Sequence, residues 1–227
     1  MFVLRLIVSV VYTAAFFGLS LFLPAGTLAW WRAWVLLGAV LVGTVVTMLV
    51  VFRGNEGLLS ERFGAPLQKG QPFWDKILVP LLVVTFGGLI VAIPLDVFRY
   101  HLLRRPGPVV SAAGLVLFVA GWTSISLALR ENAFAAPVVK LQEERRQRVI
   151  DSGPYRLVRH PMYAGAVPLM IGMPLWLQSY AGTLLALVPI GIVALRIRVE
   201  EQFLRRELEG YDAYTRRVRY RLIPFVW

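Results

Sequence analysis

Residues 77–97 read Ile-Leu-Val-Pro-Leu-Leu-Val-Val-Thr-Phe-Gly-Gly-Leu-Ile-Val-Ala-Ile-Pro-Leu-Asp-Val, with no charged side chain before Asp96. A helix needs about 20 apolar residues to cross the hydrocarbon core of a bilayer, so this stretch reads as a membrane span. Working outward, runs of the same character lie at about 2–23, 31–52, 109–129, 162–178 and 181–197. The last two are short and are joined by Gln178-Ser179-Tyr180, the pattern of a tight helical hairpin. With 58% hydrophobic and only 16% charged residues, the chain is far from an ordinary soluble domain. The expected fold is all-α: a polytopic membrane helix bundle of about six spans, with a C-terminal helical hairpin and a cytoplasmic tail.

The first apolar run follows Arg5 and has no clear small-residue cleavage site beyond the weak Pro24-Ala25-Gly26. It is longer than the core of a signal peptide and is read as a retained first helix. Orientation follows from the basic residues, which stay on the cytoplasmic side. With the N-terminus inside, Arg5, four Lys or Arg in 53–76, seven in 130–159 and eight in 196–221 fall on the inner side. Only Arg32, Arg99, Arg104 and Arg105 fall outside. The expected location is a cell inner membrane, with both termini and the chemistry-bearing end in the cytoplasm. The net charge of +11 is then a matter of topology and anionic headgroups, and calls for no nucleic-acid partner.

The chain has no Cys, which removes disulfides, thiolate nucleophiles and Cys-ligated metals. Its two His, His101 and His160, fall in different segments, so no metal site is expected. Residues 1–129 carry few ionisable groups and read as a four-helix scaffold. Residues 130–227 carry basic loops, the helical hairpin and a polar tail, and form the chemical part of one integrated domain.

The densest polar cluster is Gly-Pro-Tyr-Arg-Leu-Val-Arg-His-Pro-Met-Tyr at 153–163. Asp151-Ser152-Gly153-Pro154 is a turn signal, and Pro161 suits the first turn of a helix, where its missing N–H would be unpaired anyway. His160 then sits at or beside the N-cap of the fifth span, with Arg159 before it and Tyr163 just inside. A helix start offers free N–H groups and partial positive charge to an anion, and Tyr155, Arg159, His160 and Tyr163 add directional donors. The alternative is that Arg159 and the tyrosines only anchor the interface.

Arg196-Ile-Arg198-Val-Glu200-Glu201 lies at the cytoplasmic end of the sixth span. Carboxylates beside a bilayer core are costly unless paired or functional. Helical spacing pairs Arg196 with Glu200 and Glu201 with Arg205, so a structural ladder is one reading. Adjacent carboxylates point about 100° apart, so they cannot share one role, and one is free for a ligand hydroxyl or ammonium. The tail from Gly210 to Pro224 is basic and aromatic, as a segment held against anionic lipid would be.

These pieces, Gly-Pro-Tyr-x-x-x-Arg-His-Pro-x-Tyr-x-Gly at 153–165, the Glu200-Glu201 pair, and Gly210-x-x-x-Tyr214 followed by Arg221-Leu-Ile-Pro, resemble the isoprenylcysteine carboxyl methyltransferase and phospholipid methyltransferase family. Asn132-Ala-Phe134 and Val149-Ile-Asp-Ser-Gly153 are also similar, so the resemblance covers about 130–227. It implies an integral membrane methyltransferase with S-adenosylmethionine as donor, bound on the cytoplasmic side, and a lipophilic acceptor drawn from among membrane lipids or lipidated molecules. It further implies Tyr155, His160, Pro161, Tyr163, Glu200, Glu201, Tyr211, Tyr214 and Arg221 around the donor, and Arg159, Arg196 and Glu200 at the chemistry. A similar Arg-His-Pro-x-Tyr segment and tail occur in NADPH-dependent sterol or steroid reductases. A non-catalytic protein of the same fold is the third reading.

Overall fold

The computed structural model describes residues 2–65 and 67–227, and all regular structure among them is helical. α1 (Phe2–Ala25) and α2 (Trp31–Thr47, widened into a π-helical turn at Met48–Phe52) form an N-terminal hairpin. A short α3 (Glu56–Arg62) precedes α4 (Phe73–Leu95, with a second π-helical end at Asp96–Tyr100) and α5 (Pro108–Glu131). After a long loop come α6 (Pro161–Trp176), α7 (Tyr180–Leu185), α8 (Leu187–Glu207) and α9 (Tyr211–Arg217).

Among the described residues, five helices are long and apolar enough to cross a membrane: Phe2–Ala25, Trp31–Phe52, Phe73–Tyr100, Pro108–Glu131 and Tyr180–Glu207. The last is α7 and α8 run together with only Ala186 between them, and it contains the sixth expected span. The fifth expected span is α6, whose 16 residues reach about 24 Å, short of a core about 30 Å thick. The expected hairpin is present, turned through Gln178 at φ +67°.

Many Leu, Val and Ile on α1, α2, α4 and α5 are exposed, among them Leu4, Val42, Val84 and Val116, as lipid-facing surfaces are. The interior packs Leu21, Leu36, Leu89, Ile90, Ile93, Phe118, Met173, Leu177 and Ile197, drawn from α1, α2, α4, α5, α6 and α8.

The closest approach of backbones is between the antiparallel α5 and α6. Gly114 faces Gly172 and Gly121 faces Gly165. A Cβ at Gly121 would sit 2.5 Å from the Gly165 carbonyl oxygen, and one at Gly114 2.6 Å from the Trp176 nitrogen. No side chain fits at either height. In lipid, where apolar burial gives helices little reason to associate, such small-residue contacts supply the packing.

Arg32, Arg99, Arg104 and Arg105 lie at the end of the bundle where α1, α4 and α6 finish. There Arg32 and Trp176 exchange hydrogen bonds of 3.0 and 2.8 Å, and buried Asp96 accepts from Ser179 Oγ at 2.6 Å. The chemical cluster lies at the opposite end.

Candidate functional site

Local sequence places the cluster. Gly153 adopts φ +52°, a left-handed conformation that glycine takes without steric cost, and the Glu131 carboxylate packs against its bare Cα side. The following turn, Gly153–Arg156, tucks Tyr155 inward. The backbone N–H groups of Arg159 and His160 then donate to the carbonyls of Tyr220 and Arg221, at 2.9 and 3.0 Å. The tail is thereby laid against the start of α6. His160 is the N-cap residue and Pro161 the first helical residue, as the helix-start signals predict.

The two adjacent glutamates of α8 part company. Glu201 is buried and accepts from Arg159 Nε at 2.6 Å and Arg221 Nε at 3.0 Å, while His160 Nε2 lies 3.2 Å from the same carboxylate. Arg159 also donates to the carbonyls of Val218 and Arg219, both at 2.8 Å. Glu201 is therefore the tie between α6, α8 and the tail. Glu200 turns the other way, accepts from the Tyr163 hydroxyl at 2.7 Å, and lines an open cleft.

That cleft lies open between the loop 132–150 that follows α5, the start of α6, and α8 with α9. Tyr155, Arg159, His160, Tyr163, Glu200, Tyr211 and Tyr214 line it, together with Asn132, Phe134, Met162 and Leu204. The His160 and Tyr163 rings stack with centroids 5.6 Å apart. Burial pushes the Tyr155 phenol up to about 12, and burial beside Glu200 and Glu201 raises Tyr211 as well. These hydroxyls stay protonated at neutral pH. Tyr214 donates to the Tyr155 carbonyl at 2.8 Å, and Asn132 Nδ2 donates to the Tyr155 hydroxyl at 3.2 Å. One free carboxylate oxygen among aromatic faces suits a small organic cation.

Pro161, Arg196, Glu201 and Arg221 do not line the cleft. Arg196 stands behind it, with Nε donating to Asp75 Oδ1 at 2.8 Å and Nη2 to the Pro137 carbonyl at 2.5 Å. Its guanidinium lies 5.8 Å from the centre of the Tyr163 ring. The i, i+4 ladder read from the spacing is not formed. Arg196 reaches α4 instead, Arg205 takes Asp212 at 2.6 Å, and Glu201 is occupied by the α6 start and the tail. Tertiary partners with better geometry displace the local ones.

Asp75 is the residue that spacing alone did not single out. It is fully buried in the first turn of α4, and its second oxygen accepts from Val139 N and Gln71 Nε2, each at 2.8 Å. The signal was present: a lone carboxylate at the head of an apolar span demands a partner. Among the described residues no cluster of His, Asp or Glu could hold a metal ion.

Residues 109–209 match the family model described as phospholipid methyltransferase. Two proteins named probable protein-S-isoprenylcysteine O-methyltransferase, from Oryza sativa subsp. indica and subsp. japonica, are each 32% identical over 120 residues. Those residues are 52% of this chain and 62% of each relative, so the chain spans less than two thirds of the relatives it matches. The resemblance read from the sequence motifs is borne out.

Proposed function

We propose that this chain, whose residues 109–209 carry the phospholipid methyltransferase match, is an integral membrane methyltransferase that uses S-adenosylmethionine and acts on a lipophilic acceptor. The observation that carries the reading is the free oxygen of Glu200 inside a cleft walled by Tyr155, His160, Tyr163, Tyr211 and Tyr214. A donor bearing both a sulfonium and an ammonium fits a carboxylate set among aromatic faces.

When bound, S-adenosylmethionine supplies a methyl group on a positively charged sulfur, an intrinsically reactive electrophile. Glu200 would hold the ammonium or a ribose hydroxyl, and Tyr163 holds the Glu200 side chain in place. His160, stacked on Tyr163, forms the wall at the helix start. Arg159 and Glu201 keep that helix start and the tail in register, which sets the shape of the cleft. A carboxylate acceptor is already ionised near neutral pH and needs no base, so these residues act by aligning and excluding water. A lipid amine would have to lose a proton, and Glu200 and His160 both line the cleft where it would be received, with Glu201 behind them.

The cleft end carries most of the basic loops, which supports a cytoplasmic site in a cell inner membrane. The test uses purified protein with methyl-labelled donor and a total membrane lipid extract. Label is expected in an organic-soluble product and is expected to vanish in Glu200→Gln. A base-labile product identifies an ester, a stable one a methylated nitrogen. Calorimetric binding of NADPH without binding of S-adenosylhomocysteine would overturn the reading in favour of a reductase.

A further inference from the structure

The loop wall of the cleft rests on another part of the chain. Loop 132–150 supplies Phe134, Val139, Lys140 and Arg148 to the cleft, and the connector between α2 and α4 grips that loop. Glu61 of α3 pairs with Lys140 at 2.8 Å, both side chains being mostly buried. The Arg145 guanidinium rests on Gly57, where a Cβ would come within 2.9 Å of it, and also lies over the Phe134 ring, 5.3 Å from its centre. Arg145 is held there by donating to Gln142 Oε1 at 2.6 Å. At the head of α4, Asp75 accepts from Val139 N at 2.8 Å.

The connector itself is seated by one face. Asn55 caps α3 by accepting from Leu58 N at 3.1 Å, and Leu58 and Leu59 are buried with Met48, Phe52 and Leu129 of α2 and α5. Its other face is turned outward. Phe63 and Leu67 are exposed although they lie outside the spans, and so are Phe73 and Trp74 where α4 begins. Among the described residues of 53–76, Arg53, Lys69 and Lys76 are exposed against one exposed carboxylate, Glu56.

The occupant of that face follows from where it is tethered. Spans end at Phe52 and begin at Phe73, so both ends of the connector are fixed at one surface of the bilayer. Aromatic and aliphatic side chains at that level sink into the headgroup boundary, while cations stay with anionic phosphates. Three exposed cations against one carboxylate complement a negatively charged lipid surface.

We propose that the outward face of 53–76 docks on anionic lipid, and that docking steadies the loop wall through Glu61–Lys140 and Gly57–Arg145, so that the cleft binds its donor more tightly on a charged bilayer. A loop already ordered by its support loses less freedom when a ligand closes on it. The docking stands by itself; its effect on the donor rests on the methyltransferase reading.

The chain has no Cys, so Ser60→Cys, exposed on α3 one turn before Phe63, takes a single fluorophore. The labelled protein is placed in nanodiscs of phosphatidylcholine with or without phosphatidylglycerol. Quenching by a nitroxide on lipid headgroups reads docking, and calorimetry of S-adenosylhomocysteine reads the cleft. Phosphatidylglycerol is expected to deepen the quenching and to tighten S-adenosylhomocysteine about fivefold, the low end of couplings between sites. Lys69→Glu combined with Lys76→Glu should lose both responses, whereas Arg104→Glu, at the opposite end of the bundle, should keep both. Glu61→Gln should keep the quenching and lose the dependence of affinity on lipid charge, a split that general destabilisation would not produce. Equal quenching in the two bilayers, or a charge-reversed connector that still responds, overturns the docking. Shielding of the probe from aqueous iodide without quenching from lipid assigns the face to a second copy of the chain and overturns it as well. An intact lipid dependence in Glu61→Gln overturns the coupling. S-Adenosylhomocysteine that binds in neither bilayer, with the quenching as expected, removes the methyltransferase reading and leaves the lipid-docking face standing.

Discussion

Glu200 and Glu201 are adjacent in the chain and belong to different structures: Glu200 takes the Tyr163 hydroxyl at the cleft, and Glu201 is closed in by Arg159, His160 and Arg221. Their variants should therefore fail in different ways. Glu200→Gln is expected to melt like the wild type in detergent and to lose S-adenosylhomocysteine binding by about tenfold or more. Glu201→Gln leaves Arg159 and Arg221 short of their countercharge and should cost about 3 kcal/mol of stability. Thermal unfolding and calorimetry on the two proteins check both statements.

Asp75 reaches the cleft wall without lining it, through Arg196 and the Val139 N–H. Asp75→Ala is expected to destabilise by about 3 kcal/mol, because it strands a buried guanidinium. Asp75→Asn keeps an acceptor for Val139 N and should recover part of the donor affinity. Equal donor affinity in both variants would show that the loop holds its place without Asp75.

The glycine seam gives a sharp packing test. Gly121→Leu should lower the unfolding temperature strongly and reduce donor binding, since overpacking costs about 1–3 kcal/mol even where neighbours can yield and here the obstacle is backbone. Gly18→Ala, with nothing within 4 Å of its new Cβ, is the neutral control.

Alkaline pH should act through Tyr155. Its folded pKa, about 12, stands above the unfolded value near 10, so its contribution is fully present below pH 10 and is lost as pH rises toward 12. Melting temperature measured from pH 8 to 11.5 should fall less steeply above pH 10 in Tyr155→Phe. Parallel curves would place the alkaline loss elsewhere.

Absence of Cys makes orientation simple to read. Arg216→Cys on the tail should resist a membrane-impermeant maleimide in intact cells, and Arg104→Cys should be labelled. The reverse pattern would invert the topology.

Much of this was legible because it is local. Apolar run length marks the spans, and the turn at 151–154 followed by Pro161 marks the start of α6 and the position of His160. What spacing could not show is long-range choice of partner. Arg196 had Glu200 one turn away and took Asp75, 121 positions earlier, because the buried carboxylate also gathers Val139 and Gln71. Likewise the separation of Glu200 from Glu201 follows from helix geometry, but which one meets the cleft depends on where the tail returns.

With Gly114 against Gly172 and Gly121 against Gly165, α5 and α6 meet backbone to backbone at two heights and form a single closely packed strut. His160 and Tyr163, at the foot of that strut, are consequently the stationary jaw of the cleft. The other side of the cleft is the loop after α5 and the tail, which the strut holds through the backbone pairing at 159–160, the Arg159 bonds to the Val218 and Arg219 carbonyls, and one buried carboxylate. Neutralising Glu201 is thus expected to loosen that side of the cleft while the strut stays in place.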